Sequence, residues 1–423
     1  MLVAFSGLAF ASNTAVGLCA AAGIHYTTIQ AAVNAAEALA APRTVRVCPS
    51  TYPEQVTITE SLTLEGVTNG TNDLVVITPP TTGAVANTND VSTGNPIAAQ
   101  ILVENTSAVT ISNLTVDGFG NQLPVCSATD LMGILFQNAS GTVDHVAVRN
   151  QVTGDTVNGC QAGKGIYIES SSGSSVVTVE NSSVHNYSKN GITARYAGTT
   201  LTASGNYVQG SGVQLYPTGA AQNGIELAFG ARGTITNNTV IDNLWYCPET
   251  NAGGNGCSNV SASSDILLYD AESDVSNAVN TNVVGNSQIP IGLETDSNGE
   301  GDGVYVKGNK IFGTGFFDAI DLCTNGNVVE NNVIFNSAES GIHLDAGCSG
   351  TGNSSTVTGN VILETACAGI LADPGTTGNT TTPNTFYTVP STIASSTGSC
   401  TVPAFGGAVV HAKTTHAKFR PAP

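Results

Sequence analysis

The chain has 423 residues, of which 48 are glycine and only 10% are charged, against about a quarter charged in an average soluble protein. Twelve Lys and Arg against 31 Asp and Glu leave a formal charge of −19, which repels a phosphate backbone and argues against nucleic acid as a partner. With 41% hydrophobic residues the chain can bury a core, so it is not disordered, and its longest apolar run, residues 2–11, is too short for a transmembrane span.

Residues 1–24 read as a leader and N-terminal segment. The opening MLVAFSGLAFA has the apolar centre of a signal peptide, with Ala9-Phe10-Ala11 as its small-residue cleavage site; a buried N-terminal strand is the alternative. Cysteine usage fits export, because ten Cys occur with no C-x-x-C pair and no Cys/His metal spacing. They fall into sequence-local pairs: Cys19/Cys48, Cys126/Cys160, Cys247/Cys257, Cys323/Cys348 and Cys367/Cys400. Spacing does not fix connectivity, but neighbouring pairs suit a chain that folds by stacking coils in an oxidising compartment. The protein is expected to be secreted, extracellular or held at the cell surface.

A helix is expected over 27–41, opened by a capping box from Thr27 to Gln30 and ended by Pro42. Ile29, Val33 and Ala36 give it one apolar face, which suits a plug over the open end of a solenoid. Extended segments follow at Thr44-Val45-Arg46-Val47, Gln55-Val56-Thr57-Ile58 and Ser61-Leu62-Thr63-Leu64. A Gly-Ile-x-aliphatic strand then recurs, as in Gly133-Ile134-Leu135-Phe136, Gly165-Ile166-Tyr167-Ile168, Gly224-Ile225-Glu226-Leu227, Ala319-Ile320-Asp321-Leu322 and Gly341-Ile342-His343-Leu344. Each repeat carries a second short strand and a third that opens with Asn, exemplified by Asn113, Asn238, Asn309, Asn332 and Asn360. Alternation sends aliphatic side chains one way and polar ones the other, while Gly and Asn at the corners accept left-handed backbone. The pattern describes an all-β parallel β-helix with three strands per coil and an N-terminal amphipathic capping helix, over 25–373. Leucine-rich repeats and propellers are excluded by the missing consensus and by the period. A Thr/Ser/Gly/Pro-rich segment, 374–423, ends in a basic tail with Lys413, Lys418 and Arg420.

The run TTIQAAVNAAEALAAPRTVRVCPSTYPEQVTITESLTLEG resembles the start of right-handed parallel β-helix proteins of the pectin-lyase-like superfamily, where a capping helix leads into V-x-V-x-P-G-x-Y-x-E. Ser50 stands where that pattern usually has Gly. The resemblance spans about residues 25–372 and implies the right-handed fold. For function it implies only a range, from lyases, hydrolases, esterases and epimerases to non-enzymatic surface proteins. The Gln/Asp/Asp/Arg contexts of pectin methylesterases are missing, as are the Asn-Thr-Asp, Asp-Asp, Gly-His-Gly and Arg-Ile-Lys motifs of polygalacturonases. Pectate lyases need an Arg or Lys base near calcium, and the outer strip offers only Arg195, several coils from the acidic residues.

Stacked coils turn sequence offsets into columns about 4.8 Å apart. Counting from each repeat's glycine puts Glu226, Leu267, Glu294, Asp321 and His343 in one outward column, and Arg195, Tyr269, Asp296 and Asp345 in the next. Glu294, Asp296, Asp321, His343 and Asp345 would then share a patch about three coils tall, beside Tyr269 and the Asp265/Asp270 pair. Carboxylates one coil apart raise one another's pKa, the arrangement a general acid needs. Glu294 and Asp321 are the expected acid/base pair, with His343 orienting or protonating. Asp296 and Asp345 are expected as supporting groups or Ca²⁺ ligands; a plainly solvated β-face is the alternative. Insertions at 117–132, 150–164, 209–223 and 242–264 fall between third and first strands and rise beside the strip, bearing aromatics such as Phe119, Tyr216 and Trp245. Tyr269, Trp245 and Glu226 are the expected sugar contacts. The expectation is a monomer acting on an extracellular polysaccharide, neutral or weakly charged, by hydrolysis rather than β-elimination. The alternative is a non-catalytic surface or adhesive β-helix that binds a glycan or a protein partner.

Overall fold

The computed structural model describes residues 12–20, 24–68, 72–155, 160–171, 173–212, 214–215, 221–246, 263–296, 300–314, 317–347 and 350–395. Three parallel sheets run its length. A coil takes one strand from each in turn: Lys164–Glu169 in the first sheet, Ser175–Glu180 in the second, Ser183–Tyr187 in the third, and then Asn190–Arg195 beside Lys164–Glu169. This is the three-sheet parallel β-helix that the repeat predicts, in the right-handed form that the resemblance implies.

The repeat's isoleucines cause the stacking. From Ile101 through Ile134, Ile166, Ile192, Ile225, Ile266, Ile291, Ile320 and Ile342 to Ile370, each pairs in register with the next and none is exposed. Each buried rung contributes roughly 1.5–3 kcal/mol. The glycine before the isoleucine also faces inward: a Cβ on Gly165 would collide with Val184 of the third sheet and with the Gly191 carbonyl. Alternation therefore turns the residue before that glycine outward.

The corner between second and third sheets is an asparagine ladder. Asn206, Asn238, Asn282, Asn309, Asn332, Asn360 and Asn384 each donate through Nδ2, or accept through Oδ1, along the stack at 2.9–3.1 Å. The same Nδ2 groups reach main-chain carbonyls, as Asn309 does to Val279 O at 2.8 Å. Most rungs follow a residue in the left-handed region: Gly205, Asn237, Thr281, Gly308, Asn331 and Gly359 have φ between 56° and 69°. Gly and Asn tolerate that conformation, and Thr281 is the β-branched exception. Asn113 is itself such a turn residue, at φ 58°, and Leu114 follows it.

Both ends of the β-helix lie beyond the expected bounds. Strand Ser12–Val16 pairs with Arg43–Val47 and His25–Tyr26 ahead of the helix, and Cys19–Cys48 closes that turn. Strands Thr385–Tyr387 and Ser391–Ala394 extend the third and first sheets past residue 373. Each rests on one apolar ladder residue, Phe386 or Ile393, too little to stand out in a Thr/Ser-rich stretch. The helix α1 (Ile29–Glu37) buries Ile29, Ala32, Val33 and Ala36. Thr28, not Thr27, is its N-cap, accepting from Ala31 N. Glu54, not Gln30, satisfies the free amides of Ile29 and Gln30, at 2.8 and 2.9 Å. Cys126–Cys160 is bonded as expected, and Cys323 and Cys367 are disulfide-bonded. The signal segment at 1–11, Cys247, Cys257, Cys348, Cys400 and the basic tail lie outside the described residues. Among the described residues no helix is long and apolar enough to cross a membrane.

Candidate active site

The outward face of the first sheet carries a cavity of about 660 Å³. Its floor is built from three outward columns: Lys164, Asn190 and Asn223; Glu226 and Leu267; and Arg195, Tyr269 and Glu294. One wall holds Cys126, Ala128, Cys160, Ala162 and Ala221, drawn from three of the expected insertions and cross-linked by Cys126–Cys160. The opposite wall holds Asp90, Thr93, Phe229 and Tyr269. Asp90 belongs to a loop that shows no motif in the sequence, and it is tied across to the Tyr196 hydroxyl at 3.2 Å.

Tyr196 and Phe229 sit at φ 72° and 53°, a left-handed conformation that costs bulky residues roughly 1–3 kcal/mol each. It brings their rings alongside one another at 6.3 Å and sets Phe229 edge-on to Tyr269 at 5.5 Å. The Arg195 guanidinium lies 4.4 Å from the Phe229 ring centre. Tyr269 donates to Asp296 Oδ2 at 3.2 Å. Glu226 is held by the Asn190 and Asn223 amides at 2.8 and 2.9 Å. Lys164 is paired with Asp130. Lys189 donates to Ala221 O at 2.7 Å; burial pulls its ammonium down to about 8, against the opposing pull of Glu226.

Glu294 closes the cavity at its C-terminal end. Its register differs from the expectation: Leu267 pairs with Gly292, and Tyr269 pairs with Glu294. Ile291 rather than Leu293 is the inward rung, so Gly292 takes the outward place the motif gives to Glu294, and Glu294 moves to the Arg195/Tyr269 column. The side chain compensates. A Cβ on Gly292 would lie 3.0 Å from Glu294 Oε1, so the carboxyl folds over the glycine, and Gly292 is the strand neighbour of Asp321. No described residue donates a hydrogen bond to the Glu294 carboxyl. Burial, helped by the charge of Asp345, pushes it up to about 7.

Asp321 stacks directly on His343. His343 Nδ1 lies 3.0 Å from Asp318 Oδ2 and 3.8 Å from Asp321 Oδ1, and Nε2 lies 3.3 Å from Asp373 Oδ1. Burial would lower the imidazole, but the hydrogen bond and charge of Asp318, then the charges of Asp321 and Asp345, raise it to about 11. It is an imidazolium at neutral pH. Burial raises Asp321 well above the carboxylate range; His343 opposes this, while Asp318, Asp345 and Glu294 reinforce it. Asp321 Oδ1 is buried with no hydrogen-bond partner. The cluster therefore sets one cation among crowded carboxyls, and burial makes Asp321 give up its proton less readily than an exposed carboxyl.

Among the described residues Asp296 and Asp345 fall in different clusters. Asp296 accepts from the Tyr269 hydroxyl at 3.2 Å, and its backbone N–H donates to Asp270 Oδ1 at 2.9 Å. Asp345 groups with His343 and Asp373, or with Asp321 and Cys323. Cys323 is in a disulfide, and the other set includes the His343 ring nitrogen. Asp265, expected beside the strip, is wholly buried and accepts from Asn243 Nδ2 at 2.9 Å and Gly285 N at 2.6 Å. The backbone of Trp245–Tyr246 pairs with Gln214–Leu215, and the Trp245 side chain lies outside the described residues. Lys164, Asn190 and Asn223 were not among the expected site residues. All three precede a repeat glycine, and aligning that position would have found them.

No family model matches the sequence, and no curated protein matches it. Among solved structures, the GH136 lacto-N-biosidase from Eubacterium ramulus aligns at TM-score 0.51 and 12% identity, over 86% of this chain and 64% of that one. The chain thus spans under two thirds of that protein's length. A DFA-IIIase from Arthrobacter chlorophenolicus A6 aligns at TM-score 0.48 and 14% identity, over 87% and 93% of the two chains. An alginate lyase from Paenibacillus sp. aligns at 0.39 and 12%, over 91% and 99%. At these identities the likeness is one of fold.

Proposed function

We propose that the protein is a carbohydrate-active enzyme, a secreted or surface-held monomer that hydrolyses a glycosidic bond in the first-sheet groove. The observation that carries this reading is the Glu294–Asp321 pair: a carboxyl raised to about 7 at the cavity's end, on the strand next to a buried carboxyl whose pKa burial raises well above the usual value. Divergent pKa values in adjacent carboxyls are how one site runs acid and base chemistry together. Gly292 and Asp321 lie on neighbouring strands and the Glu294 carboxyl folds over Gly292; in this reading the two carboxyls work across about one strand spacing, ~4.8 Å, near the roughly 5–5.5 Å of retaining glycosidases.

In this reading Asp321 donates its proton to the glycosidic oxygen as the bond to the anomeric carbon breaks, while ionised Glu294 attacks that carbon to form a glycosyl ester. Water, losing a proton to Asp321, then cleaves the ester. His343, fixed by Asp318, positions Asp321 and offsets the negative charge of Asp345 and Asp373. Tyr269 and Phe229 offer rings to a sugar's apolar face, and Glu226, clamped by two Asn amides, accepts from a hydroxyl. A lacto-N-biosidase shares the fold, which is consistent with this chemistry. The test is reducing-end release across a glycan panel, with unsaturated-product absorbance recorded in parallel. Release without absorbance, abolished in Glu294→Gln and Asp321→Asn, is expected; equal activity in wild type and the double variant would overturn the assignment.

A further inference from the structure

Three of the chain's twelve Lys and Arg converge on this one cavity: Lys164, Lys189 and Arg195. Asp130 neutralises Lys164. The other two have no carboxylate at ion-pair distance among the described residues. Arg195 rests on the Phe229 ring, and its Nε is buried with no hydrogen-bond partner. Lys189 spends one N–H on Ala221 O, and an ammonium has three. The nearby acids are engaged elsewhere. Glu226 is clamped by Asn190 and Asn223. Glu169, one strand from Arg195, accepts from Gln137 Nε2 at 2.7 Å, and burial pushes it up to about 7. Glu226 attracts both cations across the cavity but forms an ion pair with neither, and in a chain with a formal charge of −19 two cations with unused donors in one cavity form a place for an anion.

The opposite end has the reverse character. Glu294, Asp321, Asp345 and Asp373 crowd one another there, and a further negative group would be repelled. Arg195 and Glu294 share a column, three strands apart through Ala228 and Tyr269, or roughly 14 Å at ~4.8 Å per strand. That span holds more than one sugar.

We propose that the groove recognises a largely neutral glycan carrying one acidic group, a sugar carboxylate or a sulfate ester, which Arg195 and Lys189 bind a few residues along the chain from the sugar that lies over Glu294. This rests on the glycan-acting reading for its substrate, though not on turnover. It also rejects a homopolymer of acidic sugars, whose next carboxylates would meet the acidic end.

The test is binding by the Glu294→Gln protein to an array of glucuronate-, galacturonate-, sialate- and sulfate-bearing oligosaccharides. Each is printed beside its neutral counterpart, with tetragalacturonate included. At least one acidic member should bind tenfold or more tighter than its neutral counterpart. Added Arg195→Gln or Lys189→Gln should erase that gap with the melting temperature unchanged, and Arg195→Lys should restore part of it. The carboxylate and sulfate pairs identify which anion is read. No acid-dependent gap anywhere, a gap that survives both glutamines, or strongest binding to tetragalacturonate overturns the proposal. Acid-dependent binding without hydrolysis by wild type would sink the glycosidase reading alone, whereas equal cleavage of acidic and neutral glycans would sink this one alone.

Discussion

Replacing Glu294 by Gln is expected to stop turnover and, above neutral pH, to stabilise the protein. Glu294 ionises near 4.5 in the unfolded chain and near 7 in the fold, mainly because it is buried. Between those values the native state holds a proton that the unfolded state has lost, so stability falls as pH rises through the window. Above pH 7 the full cost is present: a shift of 2.5 units, from 4.5 to about 7, corresponds to an upper limit of about 3 kcal/mol. Water in the open cavity screens part of it, so roughly 1.5–3 kcal/mol is the expected gain. Gln has the same shape, and no described residue hydrogen-bonds the carboxylate that it replaces. The measurement is urea unfolding of both proteins at pH 4 and pH 8, with reducing-end release at neutral pH. The two should unfold together at pH 4 and separate at pH 8. A constant offset at both pH values, or a variant less stable at pH 8, would refute the claim that burial raises this carboxyl.

Glu294 must be ionised to attack, so kcat/KM should rise with an apparent pKa of about 7 and fall at higher pH as Asp321 loses its proton; ¹H NMR of fresh product should show retained anomeric configuration, and inversion would exclude the one-strand pair. Gly292→Ala places a methyl where the Glu294 carboxyl lies, 3.0 Å from Oε1, and should cut kcat by about tenfold or more while the fold's far-UV spectrum persists; wild-type kcat would show that the folded-back carboxyl is not the reacting one. Asn309→Ala removes the side-chain partner of Val279 O and of Asn282 N and should cost about 2–4 kcal/mol in urea melts, and Asn309→Asp should not rescue it, because a carboxylate cannot donate. Thr281→Gly relieves a β-branched residue at φ 56° and should raise stability by up to about 1 kcal/mol, less whatever the exposed bond to Asn237 contributes; a lower melting temperature would show that this bond dominates.

The fold was legible because its two ladders are written directly into the residue pattern. An isoleucine after each repeat glycine and an asparagine at the head of the third strand recur whatever the length of the intervening loops. Where the rung is not the consensus residue the reading slips, as at Asn113, which is the turn residue ahead of Leu114. The terminal strands were invisible for a related reason: Phe386 and Ile393 are single apolar residues whose partners, Ile362 and Ile370, are distant in sequence.

The acidic end of the site was found through scarcity of charge, but its register was not. Glycine marks the inward position in most coils, because the first and third sheets approach closely there, as at Gly165 against Val184. Gly292 is a different glycine. It stands outward, one residue past the Ile291 rung, and its missing side chain leaves room for the Glu294 carboxyl to fold over it toward the neighbouring strand. A pattern that equates the two glycines places Glu294 in the right neighbourhood by the wrong column. The pre-glycine column was missed by the same equation run the other way. If the repeat glycine faces in, the residue before it faces out, and Lys164, Asn190 and Asn223 follow at once. The one outward glycine and the outward pre-glycine column together shape the groove: Lys189 and Arg195 without ion pairs, a clamped carboxylate at Glu226, and two raised carboxyls, Glu294 and Asp321, where the column is interrupted.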